Sequence, residues 1–392
     1  MHEIIQTVGY VFPNDRVWWS LMIVTYPYIT GLIAGAFIVS SLYHVFGIKN
    51  LKPVARFSLI FALSFWFFCT APLLNHLGRP DRAFNIMLTP HPSSAMAGFG
   101  FVYSLYGIVL ILEILFLYRP VFVELMQTST GIKKSIYKLL TLGVYDTSPE
   151  VLKSEHKIMS FLAAIGIPLA CTLHGYAGFI FGGVKAVHWW FTPLMPVIFL
   201  LSASVSGIAG IILFYVIIAK YRKMEIDENC LKTLVKFLWG FLIADLVTEM
   251  LDLGVHAYLR VESWYIIEEL LDKHLFFSFW ILQVLVGAII PFFILGWLSL
   301  SKKISKSTLI FWSSLSSFIL LIQVYAMRWN VVVGGQMVSK SGRGFVFYHP
   351  QFFEKEGILP VLILLALPVV TLYILSKIFP LWENQDKKEV KV

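Results

Sequence analysis

The sequence predicts an all-α, polytopic membrane protein with about nine transmembrane helices, and two observations lead to that class. The first is composition: of 392 residues, 58% are hydrophobic and 14% are charged, with a mean hydropathy of +0.77. Soluble domains carry about 25% charged residues, so the chain is not an ordinary soluble protein. A net charge of +8 would suggest nucleic acid as the partner of a soluble chain. Here the basic residues lie in short loops between apolar runs, so we expect no nucleic-acid partner.

The second observation is a series of apolar runs. Each is long enough to cross the roughly 30 Å of bilayer hydrocarbon, which takes about 20 helical residues. The runs lie at residues 18–46, 54–77, 96–118, 157–182, 194–220, 233–253, 276–300, 308–328 and 358–380.

Basic residues occupy alternate loops, which the positive-inside rule places in the cytoplasm, against anionic membrane lipid. They are Lys49, Lys52, Arg56, Lys133, Lys134, Lys138, Lys220, Arg222, Lys223, Lys302, Lys303, Lys306, Lys387, Lys388 and Lys391. This alternation predicts a multi-pass protein of the cytoplasmic membrane, with its N-terminus outside and its C-terminus in the cytoplasm. The loops at 75–95, 183–193, 252–275 and 329–357 then share the outer face.

A weak internal repeat predicts the domain organisation. One constant offset aligns Gly31 with Gly207, His76 with Asp252, and Gly78 with Gly254. Four helices separate the copies, and an even number preserves orientation. We therefore expect two parallel-related four-helix bundles and one C-terminal helix. The predicted units are 1–192, which includes a cytoplasmic loop at 119–156; 193–330; and 331–392, which holds an outer loop, the ninth helix and a cytoplasmic tail.

The sixth apolar run carries a stripe of ionisable residues. Asp245, Glu249, Asp252 and His256 follow one another at spacings of four, three and four, which puts them on one helix face. An ionisable group at the bilayer centre costs roughly 2.5–3.5 kcal/mol. Either the deeper acids pair with a neighbouring arginine, or the stripe lines a proton path or wet cavity. Glu113, near the cytoplasmic end of the third helix, either joins such a path or reaches out to water.

Polar residues also cluster where two apolar runs end. Asn75, His76, Arg79, Asp81 and Arg82 crowd the end of the second run, which costs energy at membrane depth unless they bind something. The motif HGYAGFIFGG, from 174 to 183, adds a histidine, a tyrosine and four glycines near the outer end of the fourth run. Space beside polar donors suits a flat ligand with a polar head, although glycines also let helices pack closely.

Metal and haem sites are not predicted. Cys69, Cys171 and Cys230 lie far apart without a CxxC spacing, so they do not form an iron–sulfur or zinc site alone. Most histidines lie at helix ends or in loops rather than in facing pairs within helices, which argues against haem. The segment 328–349 follows the eighth run, and its glycines predict a re-entrant or docking loop.

Six short motifs together carry a resemblance. They are the Gly-rich first helix, HLGRP closing the second, HPSSAM opening the third, HGYAG ending the fourth, Pro193 and Pro196 before a small-residue fifth helix, and RWNVVVGGQ after the eighth. In these the chain resembles the NrfD/PsrC family, which comprises quinone-reactive membrane subunits of iron–sulfur and molybdenum oxidoreductase complexes. It looks most like the branch with DsrP, HmeC and the Hyb-type hydrogenase membrane subunit.

The resemblance implies a subunit with no haem or iron–sulfur cluster of its own. It would exchange electrons between menaquinone, or another quinone, and an iron–sulfur, ferredoxin-like partner subunit on the outer face. Cytochrome c and further membrane or cytoplasmic subunits are additional expected partners. Quinone oxidoreductase activity would then belong to the assembled complex, and the acid stripe adds proton translocation as a candidate activity.

The site expected for the quinone head combines the polar clusters. His76 and His174 would bind its carbonyls or accept protons, because histidine titrates near neutral pH. Many relatives have an acid where this chain has His76, so we expect the carboxylate role to have moved to Asp252. The expected cofactor-binding residues are Asn75, Arg79, Tyr176, Ser94, Trp18 and Trp19, the two tryptophans packing the ring or forming an ordinary aromatic belt. The expected proton path consists of Asp245, Glu249, Asp252, His256 and Glu113.

Two other functions fit parts of the same pattern. A secondary transporter also combines helical repeats with intramembrane acids, and it would show broken helices meeting near mid-membrane. Pro27, Pro168 and Pro291 keep that alternative open. A purely structural anchor would use the acid stripe for stability alone.

Overall fold

A computed structural model describes residues 16–91, 93–260, 263–339 and 344–382. The helices used below are α1 (Leu21–His44), α2 (Lys52–Trp66), α3 (Ala71–His76), α4 (Ala95–Thr128), α5 (Gly131–Leu140), α6 (Pro149–Gly182), α7 (Met195–Tyr221), α8 (Glu228–Leu259), α9 (Phe277–Leu300), α10 (Lys306–Met337) and α11 (Ile358–Leu375). Shorter helices at Asn85–Leu88 and Trp264–Glu269 lie in the connections.

Most of these helices are long enough and apolar enough to cross a membrane. Among the described residues eight spans qualify: α1, α2 with α3, α4, α6, α7, α9, α10 and α11. A further helix, α8, is 32 residues long and packs along α7 and α9, but it carries the acid stripe. The described residues form no strand beyond one isolated bridge between Val338 and Phe345. The prediction of an all-α, polytopic membrane protein is confirmed.

Polar side chains set several helix starts. Ser20, Ser94, Asp227 and Ser305 each precede a helix and accept a hydrogen bond from a backbone N–H in its first turn. Such caps satisfy donors that have no partner within the helix. The cap at Ser94 fixes where the third predicted span begins.

Helices α1 and α7 cross at the centre of the molecule with their backbones in contact. A Cβ at Gly35 would collide with the carbonyl oxygen of Ala203, and a Cβ at Gly207 would collide with the Gly35 backbone. Small residues spaced by four allow this close approach. The aligned glycines of the internal repeat therefore lie on neighbouring helices, and the division into two bundles stays a prediction.

The described helices differ from the predicted pattern in three places. The eighth helix runs on to Met337 through a π-helical turn at Asn330–Gly334, so Gly334 and Gly335 belong to a buried helix rather than to a loop. The cytoplasmic loop expected at 119–156 is shorter, because α4 and α6 have 34 residues each and α5 lies between them. The second span is interrupted at 67–70, where the carbonyl of Trp66 accepts the Tyr103 hydroxyl at 3.2 Å.

Candidate functional site

Residues from the second span and the 344–357 segment meet at one end of the helices, which we call the His76 end. Asn75 Nδ2 donates to the carbonyl of Lys355 at 2.7 Å, and His76 Nδ1 lies 2.9 Å from Glu356 Oε2. The Ser20 hydroxyl at the start of α1 bonds to the same carboxylate oxygen. Three distant segments of the chain therefore converge on one histidine–carboxylate pair.

The pair orients the His76 ring. A carboxylate only accepts hydrogen bonds, so Nδ1 carries the proton and Nε2 is left with its lone pair. About a quarter of the His76 side chain is exposed, which leaves the ring accessible beside the pair. A histidine held this way accepts a proton at Nε2, and the neighbouring carboxylate stabilises the resulting imidazolium. Glu356, from far along the chain, therefore supplies the carboxylate beside His76.

Other residues expected to bind the quinone have different surroundings. Arg79 forms a bidentate, exposed ion pair with Asp81, and this pair holds the Asp81 pKa below its ordinary value. Ser94 is exposed and caps α4 through the backbone N–H of Ala97. Both residues therefore have local structural roles in the described residues.

The two tryptophans ahead of α1 are tied to the end of α10. Gln336 accepts from the backbone N–H groups of Trp18 and Trp19 at 3.2 and 2.9 Å and donates to the Trp19 carbonyl at 3.0 Å. The Trp19 ring stacks on Trp190 with centroids 5.0 Å apart, whereas Trp18 is largely exposed. Trp190 in turn donates to the carbonyl of Val331 at 2.5 Å. Trp19 is thus connected through Trp190 to the π-helical turn at Asn330–Gly334.

His174 lies deep between the helices rather than at an open surface. It is fully buried, and its Nε2 lies 3.1 Å from Nη2 of Arg328, which is also fully buried. The same Nη2 donates to Ser202 Oγ at 2.6 Å and to the carbonyl of Phe199 at 3.2 Å. The guanidinium also stacks over the Phe199 ring, 3.8 Å from its centroid.

This contact determines which proton His174 carries. Arginine only donates hydrogen bonds, so His174 Nε2 accepts and the ring proton is on Nδ1. No hydrogen-bond partner of Nδ1 is found among the described residues. In this arrangement the Nε2 lone pair of His174 is engaged by Arg328, and the expected role of His174 as a carbonyl partner or proton acceptor stays a prediction.

The geometry separates residues that the sequence had grouped around one ring. Ser20 marks the level of the His76 pair, while Gly31 approaches His174, so the two levels differ by about 16 Å along α1. Tyr176 follows His174 by two residues and so leaves α6 on roughly the opposite side, where it packs beside Gly98 of α4. One quinone ring does not reach all three side chains.

The acid stripe lies on α8 as predicted and faces a chain of buried amides. Asp245 is fully buried, and its carboxylate oxygens have no hydrogen-bond partner among the described residues. Glu249 accepts from Gln283 Nε2 at 3.2 Å, and Gln283 Oε1 accepts from Asn330 Nδ2 at 2.8 Å. Arg328 interacts electrostatically with both acids. Arg328, two residues before the π-helical turn, is therefore the arginine near the deeper acids, and it forms no direct ion pair with Asp245 among the described residues.

The chain of contacts joins the π-helical segments Asn330–Gly334 and Phe277–Ile289, since Asn330 also accepts from the Ser278 hydroxyl at 2.6 Å. Such segments leave extra backbone groups free and occur often at functional sites. Toward the His76 end, Asp252 accepts from the Thr192 hydroxyl at 2.5 Å, and His256 bonds to the Asp252 carbonyl within the helix. Asp252 therefore continues the stripe instead of joining the His76 pair.

Glu113 does not reach to water. Its side chain is fully buried in α4, and neither carboxylate oxygen has a hydrogen-bond partner among the described residues. It lies near Tyr106 of the same helix. Within the described residues, no group of three His, Cys, Asp or Glu side chains is arranged to hold a metal ion.

Sequence reasoning missed the polar residues that join these sites: Gln283, Arg328, Asn330, Gln336 and Glu356. Three of them belong to the RWNVVVGGQ motif. Its glycines predict a loop, but the motif lies in a helix. Gly334 and Gly335 are needed there because a Cβ at either would meet Leu275 or Trp190. The signal available in the sequence was a motif with an arginine, an asparagine and a glutamine in an apolar context.

Comparison with known proteins identifies the family of this chain. The family model described as polysulphide reductase, NrfD, matches residues 9–340. A selenate reductase subunit of Mesobacillus selenatarsenatis is 30% identical over 88% of this chain and 83% of its own length.

Two Archaeoglobus fulgidus proteins are also similar. The Hdr-like menaquinol oxidoreductase integral membrane subunit is 23% identical over 96% of this chain and 88% of its own length. A tetrathionate reductase subunit is 26% identical over 84% of each chain. These matches confirm the resemblance seen in the motifs, and the chain belongs to the NrfD family of polysulphide reductase-type membrane subunits.

Proposed function

We propose that this chain is the quinone-reactive membrane subunit of a respiratory oxidoreductase complex. Its similarity to membrane subunits of selenate and tetrathionate reductases supports a role within a multi-subunit enzyme. Its similarity to a subunit of a menaquinol oxidoreductase supports menaquinone, or a related quinone, as the membrane electron carrier.

The observation that carries the proposal is the His76–Glu356 pair. A quinone site needs a hydrogen-bond partner for a ring oxygen and a group that takes or gives a proton. His76 offers Nε2 beside an oriented carboxylate, and the Ser20 hydroxyl lies against the same carboxylate. These residues fit a quinone head at the His76 end, and a bound quinol would supply two electrons and two protons.

The residues of the pair then have distinct tasks. His76 accepts the proton at Nε2, and Glu356 stabilises the charged ring through Nδ1. Asn75 fixes the 344–357 segment by its bond to the Lys355 carbonyl, so it positions Glu356. Released protons leave at this end, where about a quarter of each side chain of the pair is exposed.

The acid stripe is the proposed proton path of the same subunit. Asp245, Glu249 and Asp252 lie along one face of α8, and Arg328 balances the charge of the deeper two. The Gln283–Asn330 contact links that face to α10, the helix whose Gln336 bonds to Trp19 near the His76 end. Helix α10 thus connects the His76 end, where the quinone head would bind, to the acids of α8.

The partner and the face at which it docks are part of the same proposal. An iron–sulfur, ferredoxin-like subunit would dock at the His76 end, which the basic loops predict to be the outer face. Cytochrome c or further membrane subunits would extend the chain of electron carriers. Proteolysis of sealed native vesicles of known orientation, followed by mass spectrometry of the 344–357 segment, tests this sidedness.

The decisive experiment compares two glutamates of one segment in the purified complex. Glu356→Gln keeps the shape but removes the carboxylate facing His76, whereas Glu354→Gln changes an exposed residue two positions away. We expect Glu356→Gln and His76→Asn to lower quinol turnover by roughly 10²- to 10⁴-fold, the range of general acid–base catalysis. Glu354→Gln should leave it unchanged. Equal turnover in an intact complex with all three variants would refute the site.

One observation favours a transporter as the second candidate. The interruption of the second span at 67–70 frees a backbone carbonyl inside the membrane, as broken helices of transporters do. The positions aligned by the internal repeat, 243–246, lie in unbroken helix, so the interruption is not paired. Solute uptake by vesicles that contain this chain alone, without quinol, would favour the transporter.

A further inference from the structure

Helix α5 presents a face of large apolar side chains away from the rest of the molecule. Ile132 is 81% exposed, Leu139 is 75% exposed and Ile136 is also exposed. They follow at spacings of four and three, which places them on one side of the helix. The inner side is held separately, since Tyr137 is buried and stacks on Phe122 of α4, 5.9 Å between centroids.

The opposite side of α5 is basic. Lys134 and Lys138 are exposed and one turn apart; around the helix Lys134 lies about 160° from Ile132 and Ile136, and Lys138 lies about 160° from Ile136 and about 120° from Ile132. An apolar stripe facing a lysine-bearing stripe is the pattern of helices that lie in the plane of a bilayer interface.

The turn after α5 extends the apolar face. Leu142 has a positive φ of 54°, a conformation that costs a bulky residue energy, and its side chain is 60% exposed. A cleft of about 460 Å³ opens here, and it combines a cation with apolar and aromatic walls. Its lining residues are Ser135, Lys138, Leu139, Leu142, Gly143 and Tyr145.

The position of α5 is fixed against the ends of two spans. Only two residues separate it from α4. The turn that follows is held by Arg119, a buried residue of α4 that donates to the carbonyls of Val144 and Asp146 at 3.1 and 2.8 Å. Arg119 also forms an ion pair with Glu155 of α6. The exposed stripe therefore stays where the membrane-crossing helices end.

We propose that α5 and its following turn form an interfacial binding site for anionic phospholipid. Ile132, Ile136, Leu139 and Leu142 lie among the upper acyl carbons, and Lys138, at the mouth of the cleft, binds the headgroup phosphate. Lysine suits this place because its stem lies along apolar surface while its ammonium reaches the headgroups. An exposed apolar stripe that lies beside lysines, at the ends of helices long enough to cross a membrane, fits an anionic lipid surface, and a protein contact is an outcome of the test.

Depth measurements on the full chain test the insertion. With Cys69, Cys171 and Cys230 replaced, single cysteines are introduced by Ile132→Cys, Leu139→Cys, Lys134→Cys and Glu150→Cys and carry a nitroxide. In vesicles of phosphatidylglycerol and phosphatidylcholine, labels at 132 and 139 should collide with oxygen and be protected from a water-soluble nickel chelate. Labels at 134 and 150 should be nickel-accessible. Water access at 132 and 139, or protection from both reagents as in a protein contact, would overturn the proposal.

Lipid selectivity tests the lysines with a matched pair of double variants. Retention of phosphatidylglycerol over phosphatidylcholine is measured by mass spectrometry of the purified chain and by quenching with brominated lipids. The variant Lys134→Gln/Lys138→Gln should lose about fivefold selectivity per lysine. Lys153→Gln/Lys157→Gln, which changes exposed lysines of α6, should lose much less. Equal losses in the two variants would overturn the assignment to α5.

Discussion

Arg328 Nη2 lies 3.1 Å from His174 Nε2 in the interior of the helix bundle, and neither side chain is exposed. A buried guanidinium is costly unless its donors are satisfied. Here the two N–H groups of Nη2 share three neutral acceptors, the His174 ring, the Ser202 hydroxyl and the Phe199 carbonyl. The Nε–H group has no hydrogen-bond partner among the described residues. The charge itself is balanced by acids on a different helix. His174 is thus one of the hydrogen-bond acceptors around a buried guanidinium.

The first prediction concerns His174 as an acceptor. His174→Leu removes one of the three acceptors around the two N–H groups of Nη2, so it should lower the free energy of unfolding by about 0.5–1.5 kcal/mol, the net contribution of one hydrogen bond. His174→Gln can still offer a side-chain oxygen and should cost clearly less. Thermal unfolding of the detergent-purified chain measures both. If Gln and Leu destabilise equally, the hydrogen bond has little weight.

The second prediction concerns the charge balance between Arg328 and Glu249. Arg328→Met leaves two buried acids without a countercharge and should cost about 3–5 kcal/mol. Glu249→Gln in the same chain removes one of those acids, so the double variant should recover part of the loss. A double-mutant cycle on unfolding should give a coupling of roughly 0.5–3 kcal/mol. Additive losses would mean that the two side chains do not interact.

The sequence predicted the class of fold but not the long-range contacts that assemble the candidate site. Apolar runs and the spacing of Asp245, Glu249 and Asp252 are local patterns, so the helices and the acid stripe could be predicted directly. The His76–Glu356 pair joins residues 280 positions apart, and no local pattern reports such a contact. The RWNVVVGGQ motif failed for a different reason. Its glycines signal a loop in isolation, but in the fold they admit Trp190 and Leu275 against a helix.

The third prediction concerns the 344–357 segment. Glu356→Ala removes the carboxylate that holds His76 and Ser20, so the segment should separate more readily from the start of α1 and the end of α3. Hydrogen–deuterium exchange should rise in 344–357 and in 75–82 and stay constant in α9. Because the pair is partly exposed, the loss in global stability should be only about 0–1 kcal/mol. Glu354→Ala is the matched control, and equal exchange in both variants would contradict the role of Glu356.

The fourth prediction tests the crossing of α1 and α7. Gly35→Ala places a methyl group against the backbone of Ala203 and Gly207, which side-chain rotation does not relieve. It should destabilise the chain by about 1–3 kcal/mol, as overpacking does. Gly240→Ala adds the same methyl group in open space on α8, where alanine should stabilise the helix by roughly 0.5–1 kcal/mol. Thermal unfolding that shows the same shift for both variants would exclude the close crossing.

The last prediction separates the proton path from the quinone site. Glu249→Gln and Asp245→Asn keep size while removing ionisation, and both residues lie away from the His76 pair. In a complex reconstituted into sealed vesicles, we expect quinol oxidation to continue while protons moved across the membrane per electron fall severalfold. Glu268→Gln, which changes an exposed glutamate of the Trp264–Glu269 helix, should alter neither quantity.

Gln283→Leu distinguishes a conduit from a simple charge cluster. It removes the amide that bonds to Glu249 and Asn330 but leaves every charge in place. If protons pass along these contacts, proton movement should fall as it does with Glu249→Gln, because the ordered hydrogen bonds are lost. If the acids serve only to balance Arg328, Gln283→Leu should lower thermal stability and leave the proton-to-electron ratio intact. An unchanged ratio in all three variants would assign the acid stripe to stability alone.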